Sequence, residues 1–515
     1  MSSLRREKIK CFWSYFRKNH NYTVWIFGFT FLLYLFLGLC ISYPVTFTKY
    51  TFFGSDNQRV YGDLTNIIFN HYRIKVHPLF LLLTQTLTLF LNGLVNYSSM
   101  TVVLEEAFCG AMSVSIFYSI LKIRKVEKSI RLLFTIIYEF SFSMVVFSTI
   151  PETFIFASLG LISYWYFVTI TLESDNLFSG KEFLLIIFWG VVCFGITLTN
   201  YMSYIVGLII LLASRYDRKD AVKKFLQINI INSIVILGLC IFQKYIWEDC
   251  PLFWTSIVGW VQGEGYEEVL YMDWQVNVSK TLTWLNNIFL YPILSPDLYV
   301  IEQNDSLACI LFNRYSNFFI EILLMLFYLA AFGCIIAKMV NMIRISEKAE
   351  RRYILGVSAA FCGNVVLHYI YGYMEAFMYT PHFLFLFLLL AAISFQNIKN
   401  RNMLNWMKAG LLILCIVEVI NNLLFFGKMT NLALAETIFY PIHSIKGVLL
   451  FGVEGIALYI CWMYISWKKG IVQPILKSAE ERIYDVYKIV VIYMMLVIIV
   501  GLLIAFNYNM YVVES

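Results

Sequence analysis

The chain reads VWIFGFTFLLYLFLGLCISYPV over Val24–Val45 and, a few residues on, FFGSDNQRVYGDL over Phe52–Leu64. The first stretch carries no charge and reaches the ~20 residues that a membrane-crossing helix needs. The second sets Asp56, Arg59 and Asp63 where such a helix would leave lipid. The same contrast recurs along the sequence. Of 515 residues, 60% are hydrophobic and only 14% charged, whereas an ordinary soluble domain is about one quarter charged. Mean hydropathy is +0.72 over the whole length. The apolar runs are long and do not alternate, which selects helices over a β-barrel. The expected fold is an all-α polytopic membrane protein, one integral membrane domain over 1–515. A soluble enzyme and a nucleic-acid-binding protein are both excluded, because the net charge of +6 comes from short basic clusters between apolar runs.

Those clusters set the topology. They lie at Arg5–Lys18, Lys122–Arg131, Arg215–Lys224, Lys338–Arg352, Lys399–Lys408 and Lys468–Lys488. The positive-inside rule assigns all six to the cytoplasm, so an even number of crossings separates neighbours. Between the first two stand three apolar runs, Val24–Val45, Pro78–Val95 and Thr101–Leu121. The middle one, polar at Thr84, Gln85, Thr86 and Thr88, is read as an interfacial helix within a large first outer loop from Ser42 to about Thr101. Leu132–Ile150 and Glu152–Leu172 follow as a pair. Phe183–Ala213 is too short for two full spans, so it is read as a hairpin whose tip, near Asn200, sits below the outer surface and lines a crevice. Leu226–Trp247, an acidic outer loop over 248–312 with the single basic Lys280, Phe318–Ala337, Tyr353–Tyr373, His382–Phe395, Leu411–Phe426, Gly447–Trp467 and Val490–Ala505 complete about 13 crossings. The N-terminus is then cytoplasmic and the C-terminus external. The basic N-terminus shows no small-residue cleavage site, so the first helix is read as retained. Eleven cysteines lie mostly in apolar runs; Cys250 and Cys309 share an outer loop and have a disulfide open to them.

This topology, built from Lys and Arg alone, gathers the remaining polar residues at one face. They are Asp56, Arg59, Asp63, His71, Arg73, Lys75, His77, Glu105, Glu106, Glu152, Asn200, Glu375, Tyr379 and His382. Several have plain structural alternatives. Asp63 precedes an amphipathic segment as a helix N-cap would. Asp56 is either a site acid or a salt-bridge partner of Arg59. Glu152, after Pro151, opens a helix where a carboxylate suits the dipole. Asn200 either meets a ligand or satisfies the hairpin backbone, and His77 either meets a ligand or sits in the interface. Glu139 and Glu454 fall mid-span and should pair or face a cavity.

The stretches GSDNQRVYGD after the first helix, HPLF opening the next apolar run, IPETF at the Pro-Glu tip and YMEAFMYTPHF in a later outer turn together resemble the GT-C superfamily of membrane glycosyltransferases. That superfamily includes the protein O-mannosyltransferases and aminoarabinose transferases. The resemblance covers Val24 to Ala213 well, as a GT-C-like catalytic core over 24–213, and the 313–515 helices loosely. It departs from the paired Asp-Glu of protein mannosyltransferases, since Asn57 follows Asp56. It also lacks the WWD-type motif and C-terminal soluble domain of oligosaccharyltransferases, which argues against a protein-asparagine acceptor. The resemblance implies a large first outer loop with interfacial helices, a polyprenyl-phosphate-linked sugar donor, and a hydroxyl acceptor on a lipid or glycan at the outer face. It implies inverting transfer with Asp56 as general base. Glu152 would then orient a substrate or, with Asp56, hold a divalent cation. Arg59, Arg73, Lys75 and His382 are the candidates for the donor phosphate. His77, Asn200, Glu375 and Tyr379 are further candidates for substrate contact. Two rival functions compete. A flippase or transporter of lipid-linked sugars should show inverted repeats and midplane polar residues. An envelope glycan polymerase should carry arginines in a large outer loop, and the largest loop here is acidic.

Overall fold

The computed structural model describes residues 21–434, apart from 42–49, 70, 96–97, 174–176, 248–249, 254–274, 305–306, 313–314, 316 and 346–347, together with 484 and 487–488. The expected crossings at Gly447–Trp467 and Val490–Ala505, Glu454 and most of the acidic loop residues lie outside the described residues.

Among the described residues seven helices are long and apolar enough to cross a membrane. In chain order the helices are α1 (Asn21–Ile41), α2 (Asn57–Thr65), α3 (Thr86–Val95), α4 (Ser98–Ile123), α5 (Lys128–Phe140), α6 (Phe142–Phe147), α7 (Thr153–Thr171), α8 (Gly180–Ile196), α9 (Asn200–Arg215), α10 (Arg218–Ile246), α11 (Val278–Leu285), α12 (Phe318–Ile345), α13 (Lys348–Ile370), α14 (Leu384–Phe395) and α15 (Arg401–Leu434). The seven are α1, α4, α7, α10, α12, α13 and α15. The helical polytopic class read from composition is therefore present. Each of these seven lacks a strong polar face, as expected where both lipid and protein neighbours are apolar.

Basic residues tie one end of the bundle together. Lys128 Nζ donates to Tyr22 Oη at 2.5 Å and Lys408 pairs with Glu127 at 2.5 Å. Arg124 lies 4.4 Å over the Tyr353 ring, Lys338 reaches Glu350 at 2.7 Å, and Arg215 joins Glu182 at 3.2 Å. The helices consequently alternate in direction, and α7, α9, α13 and α15 all have their basic-side ends here. The hairpin read at Phe183–Ala213 is present as α8 and α9, each about 25 Å long at 1.5 Å per residue, joined by a turn at 197–199.

Three expectations are corrected. The first is the continuous crossing over Leu132–Ile150. The backbone extends at Ser141 (φ −53°, ψ 138°), splitting it into α5 and α6. The freed N–H groups of Phe142 and Ser143 donate to the carbonyls of Ile293 and Pro292 at 3.3 and 3.1 Å. Asn422 Nδ2 bridges the Phe140 and Ile293 carbonyls at 2.8 and 2.7 Å. A broken helix within a bundle is tolerated only with such substitutes. Residues 288 and 292–296 are thus buried among helices rather than forming an open outer loop. The second correction is that the fold is not purely α. β1 (Tyr50–Phe52) pairs in parallel with β3 (Leu307–Phe312), which pairs antiparallel with β2 (Leu298–Asn304). This sheet stitches the first outer loop to the second. The third concerns cysteine: Cys250 is a free, buried thiol to which Gln243 Nε2 donates at 3.4 Å, so the disulfide with Cys309 is not formed.

Two lengths also matter. Pro78–Val95 contains a helical run of only 15 residues (Leu81–Val95), about 22 Å, shorter than the ~30 Å hydrocarbon core. α14 is shorter still, 12 residues, though every one of its side chains is buried.

Candidate functional site

The end opposite the basic clusters holds the polar residues. After β1 the chain turns through two left-handed residues, Phe53 (φ 60°) and Gly54 (φ 82°). Gly54 adopts that region freely; Phe53 does not, and is held there by its ring. That ring stacks on Phe312 at 4.3 Å and meets Phe377 and Phe142 edge-on at 5.4 and 5.7 Å. The turn ends at Asp56, the residue before α2.

Asp56 is fixed from two sides. Its backbone N–H donates to Glu152 Oε1 across 96 residues of sequence. Its carboxylate receives Arg59 Nε at 3.3 Å. Arg59 also gives Nη1 to Asp63 Oδ2 at 2.6 Å, and Asp63 Oδ1 meets His71 Nδ1 at 2.7 Å. The chain of groups grades from wet to dry. The Asp56 side chain is 40% exposed, that of Arg59 8% and that of Asp63 0%. Asp63 is therefore not an N-cap: it lies inside α2 and anchors Arg59, because a fork-shaped guanidinium one turn away can serve two carboxylates.

Glu152 is the buried member of the pair, 1% exposed, at the N-cap of α7. Its Oε2 accepts from the Thr153 N–H at 2.9 Å. Its own N–H donates to Glu106 Oε1 at 3.0 Å, so a second helix, α4, sets its height. Burial pushes the Glu152 carboxyl up to about 7; the Asp56 charge adds to this, and Arg59 and the two N–H donors oppose it. Sequence reading had left Glu106 out of the site. The signal was its position near the outer end of α4, beside the Pro-Glu tip.

The other candidates fall around this core. Glu375 closes the far side: a Cβ on Gly54 would sit 3.6 Å from its Oε1. Phe154, two residues after Glu152, meets Tyr379 at 5.5 Å and His382 at 5.7 Å. Burial pushes the His382 imidazole down to about 3, toward its neutral form. Arg59 is committed to two acids. Arg73 and Lys75 ride a single turn, Tyr72–Lys75, just after His71. His77 is structural: its Nδ1 bonds the Ile196 carbonyl at 2.8 Å and Thr197 Oγ1 at 3.2 Å, pinning the α8–α9 tip. Asn200, expected either to serve that tip's backbone or to meet a ligand, leaves both side-chain atoms without partners among the described residues, at 1% exposure. Glu139, mid-bundle, accepts from Thr30 Oγ1 at 2.6 Å, the pairing that its position demanded.

Asp56 and Glu152 offer two carboxylates, whereas hard cations take six or more oxygens, and each Glu152 oxygen also accepts a backbone N–H. No group of three or more His, Cys, Asp or Glu side chains able to hold a metal ion occurs among the described residues.

No protein-family model matches the chain, and no curated protein matches it in sequence.

Proposed function

We propose that the protein is an inverting membrane glycosyltransferase of GT-C type, working at the end of the bundle where Asp56 stands. The donor is a sugar on polyprenyl phosphate, the acceptor a hydroxyl of a lipid or glycan, and the face is the external one. The observation that carries the reading is a solvent-reachable carboxylate, Asp56, whose backbone and side chain are clamped by buried Glu152 and Arg59.

A sugar hydroxyl is a weak nucleophile. A positioned carboxylate that takes its proton as the new bond forms contributes roughly 10²–10⁴-fold. Asp56 takes that proton while the hydroxyl oxygen attacks the anomeric carbon. The bond from that carbon to the phosphate oxygen breaks, and polyprenyl phosphate leaves with the electron pair. No acid is needed for this leaving group, so one exposed carboxylate suffices. Glu152 positions rather than reacts: it holds the Asp56 N–H, and its own charge is suppressed by burial. Arg59 aims the Asp56 carboxylate at the acceptor. Lys75 and Arg73, on the turn after His71, are the remaining cations for the leaving phosphate. The placement of the basic clusters at the opposite end supports an external site under the positive-inside rule.

The test is stereochemical. Purified protein is given polyprenyl-phosphate sugars and a lipid extract, and the anomeric configuration of the product is read by proton NMR. The product is expected to have the configuration opposite to the donor; retention would refute single displacement by Asp56.

A further inference from the structure

Beside the carboxylates lies a second cluster of unusual chemistry. Asn200, Ser203, His368 and His382 are each 1% exposed. The Asn200 amide, the Ser203 hydroxyl and both ring nitrogens of His382 have no hydrogen-bond partner among the described residues, while the His368 imidazole meets the Tyr371 backbone. An orphaned buried polar group is destabilising, so a concentration of them at one end of one bundle calls for a partner from outside.

The elements that carry them meet at one end of the bundle. The His368 ring stacks on Tyr379 at 4.2 Å and 7°, with Phe383 on it at 5.9 Å. Tyr379 stands 6.4 Å from His382, and Phe154 touches both. α9 packs against α7 and α13, with Met202 3.1 Å from where a Cβ on Gly363 would be. That contact sets Asn200 and Ser203, one turn apart, beside the end of α13 that bears His368. Phe154 follows Glu152 by two residues, so this cluster adjoins the carboxylate site.

We infer that the cluster of His368, His382, Asn200 and Ser203 seats the ring of an uncharged hexose carried on a lipid phosphate, with the two imidazoles reading its hydroxyls. The inference rests on the glycosyl-transfer reading above and names its sugar subsite. The donor-acceptor inventory selects the ligand. A neutral imidazole offers one N–H and one bare nitrogen; the amide and the hydroxyl each offer both roles too. A sugar hydroxyl donates and accepts, so adjacent hydroxyls satisfy such a set. A phosphate only accepts, and would leave bare nitrogens facing an oxyanion with no cation among these side chains. Tyr379 and Phe154 supply the apolar faces that a pyranose ring lies against. The phosphate then falls outside this cluster, toward the turn that carries Lys75.

The test is binding by the full-length protein in lipid nanodiscs. The probes are short-chain polyprenyl phosphates bearing glucose, galactose or mannose, and the same polyprenyl phosphate without sugar. The wild type should bind one hexosyl lipid at least about tenfold tighter than the sugar-free lipid. His368→Phe and His382→Phe should each erase about tenfold of that preference, the worth of one buried hydrogen bond, and leave sugar-free binding within about twofold. Without ligand these variants should melt close to wild type, since phenylalanine keeps the ring contacts. His382→Gln, which restores a donor and an acceptor, should recover part of the preference; with Asn200→Leu it carries the same comparison if a Phe variant fails to fold. Unchanged preference in the histidine variants, equal weakening of the sugar-free lipid, or no sugar preference in the wild type would each overturn the subsite. Histidine-dependent binding without any transfer would keep the subsite and sink the transferase reading; transfer with histidine-independent binding would do the reverse.

Discussion

Replacing Arg59 with methionine isolates the device that holds Asp56. Asp63 is fully buried and its two oxygens are engaged by Arg59 at 2.6 Å and His71 at 2.7 Å. Methionine keeps most of the volume of the side chain and deletes the charge. Asp63, fully buried, then keeps one partner. Breaking a buried pair from one side costs about 3–5 kcal/mol, and the Arg59 side chain is only 8% exposed, so little is lost to screening. Removing the acid as well, in Arg59→Met with Asp63→Asn, should return most of that cost, because no uncompensated charge remains. The assay is equilibrium unfolding in mixed micelles, run as a double-mutant cycle. The expected coupling is at least about 2 kcal/mol; single-mutant costs that add to within ~0.5 kcal/mol would refute the bridge. Arg59→Lys sharpens the case: an ammonium can hold Asp63 but cannot fork to Asp56, so stability should fall little while transfer falls strongly.

Other outcomes follow from the same geometry. Glu152 is raised to about 7 from an ordinary 4.5, so the folded state binds its proton more tightly than the unfolded one. Its contribution is fully present below pH 4.5 and is lost as pH rises toward 7. Glu152→Gln should therefore flatten the decline of stability between those values, and an unaltered slope in thermal melts would contradict the burial of this carboxyl. Gly110 leaves no room: a Cβ there would sit 2.7 Å from Ser148 Cβ and 2.9 Å from the Tyr34 ring. Gly110→Val should cost about 1–3 kcal/mol, read as a lower melting temperature, and no change would mean that α4 does not pack against Ser148 and Tyr34. In a cysteine-free background, Val276→Cys, whose native side chain is 80% exposed, should react with an impermeant thiol reagent from outside intact cells. Reaction only after lysis would reverse the assigned sidedness.

Much of the architecture was legible because it follows from charge placement. The basic clusters among the described residues fall at one end since moving a guanidinium or ammonium across lipid is costly, and the α8–α9 hairpin was readable because its apolar length is too small for two spans. The small sheet was missed although LYVIEQN and LACILF carry a strand signature around Asp305-Ser306; helical periodicity elsewhere outweighed it. The break at Ser141 has no local sequence mark, since neither proline nor glycine is there. It is imposed by distant partners, Asn422 and the 292–293 carbonyls. In the site, Asp56 and Glu152 were legible because each stands at a helix start beside a turn residue. The roles of Asp63 and His368 were not, because a buried carboxylate inside a helix and a buried imidazole differ from ordinary polar residues only through neighbours far away in sequence.

The account stands most directly on the turnover of a polyprenyl-phosphate sugar by Asp56→Asn protein, measured as release of polyprenyl phosphate in the presence of a membrane lipid extract. Asparagine keeps the shape of the side chain and its backbone N–H to Glu152, but cannot accept the acceptor's proton. Turnover should fall by about 10²–10⁴-fold with an unchanged melting temperature. Turnover equal to that of the wild type, in protein that melts normally, would contradict it.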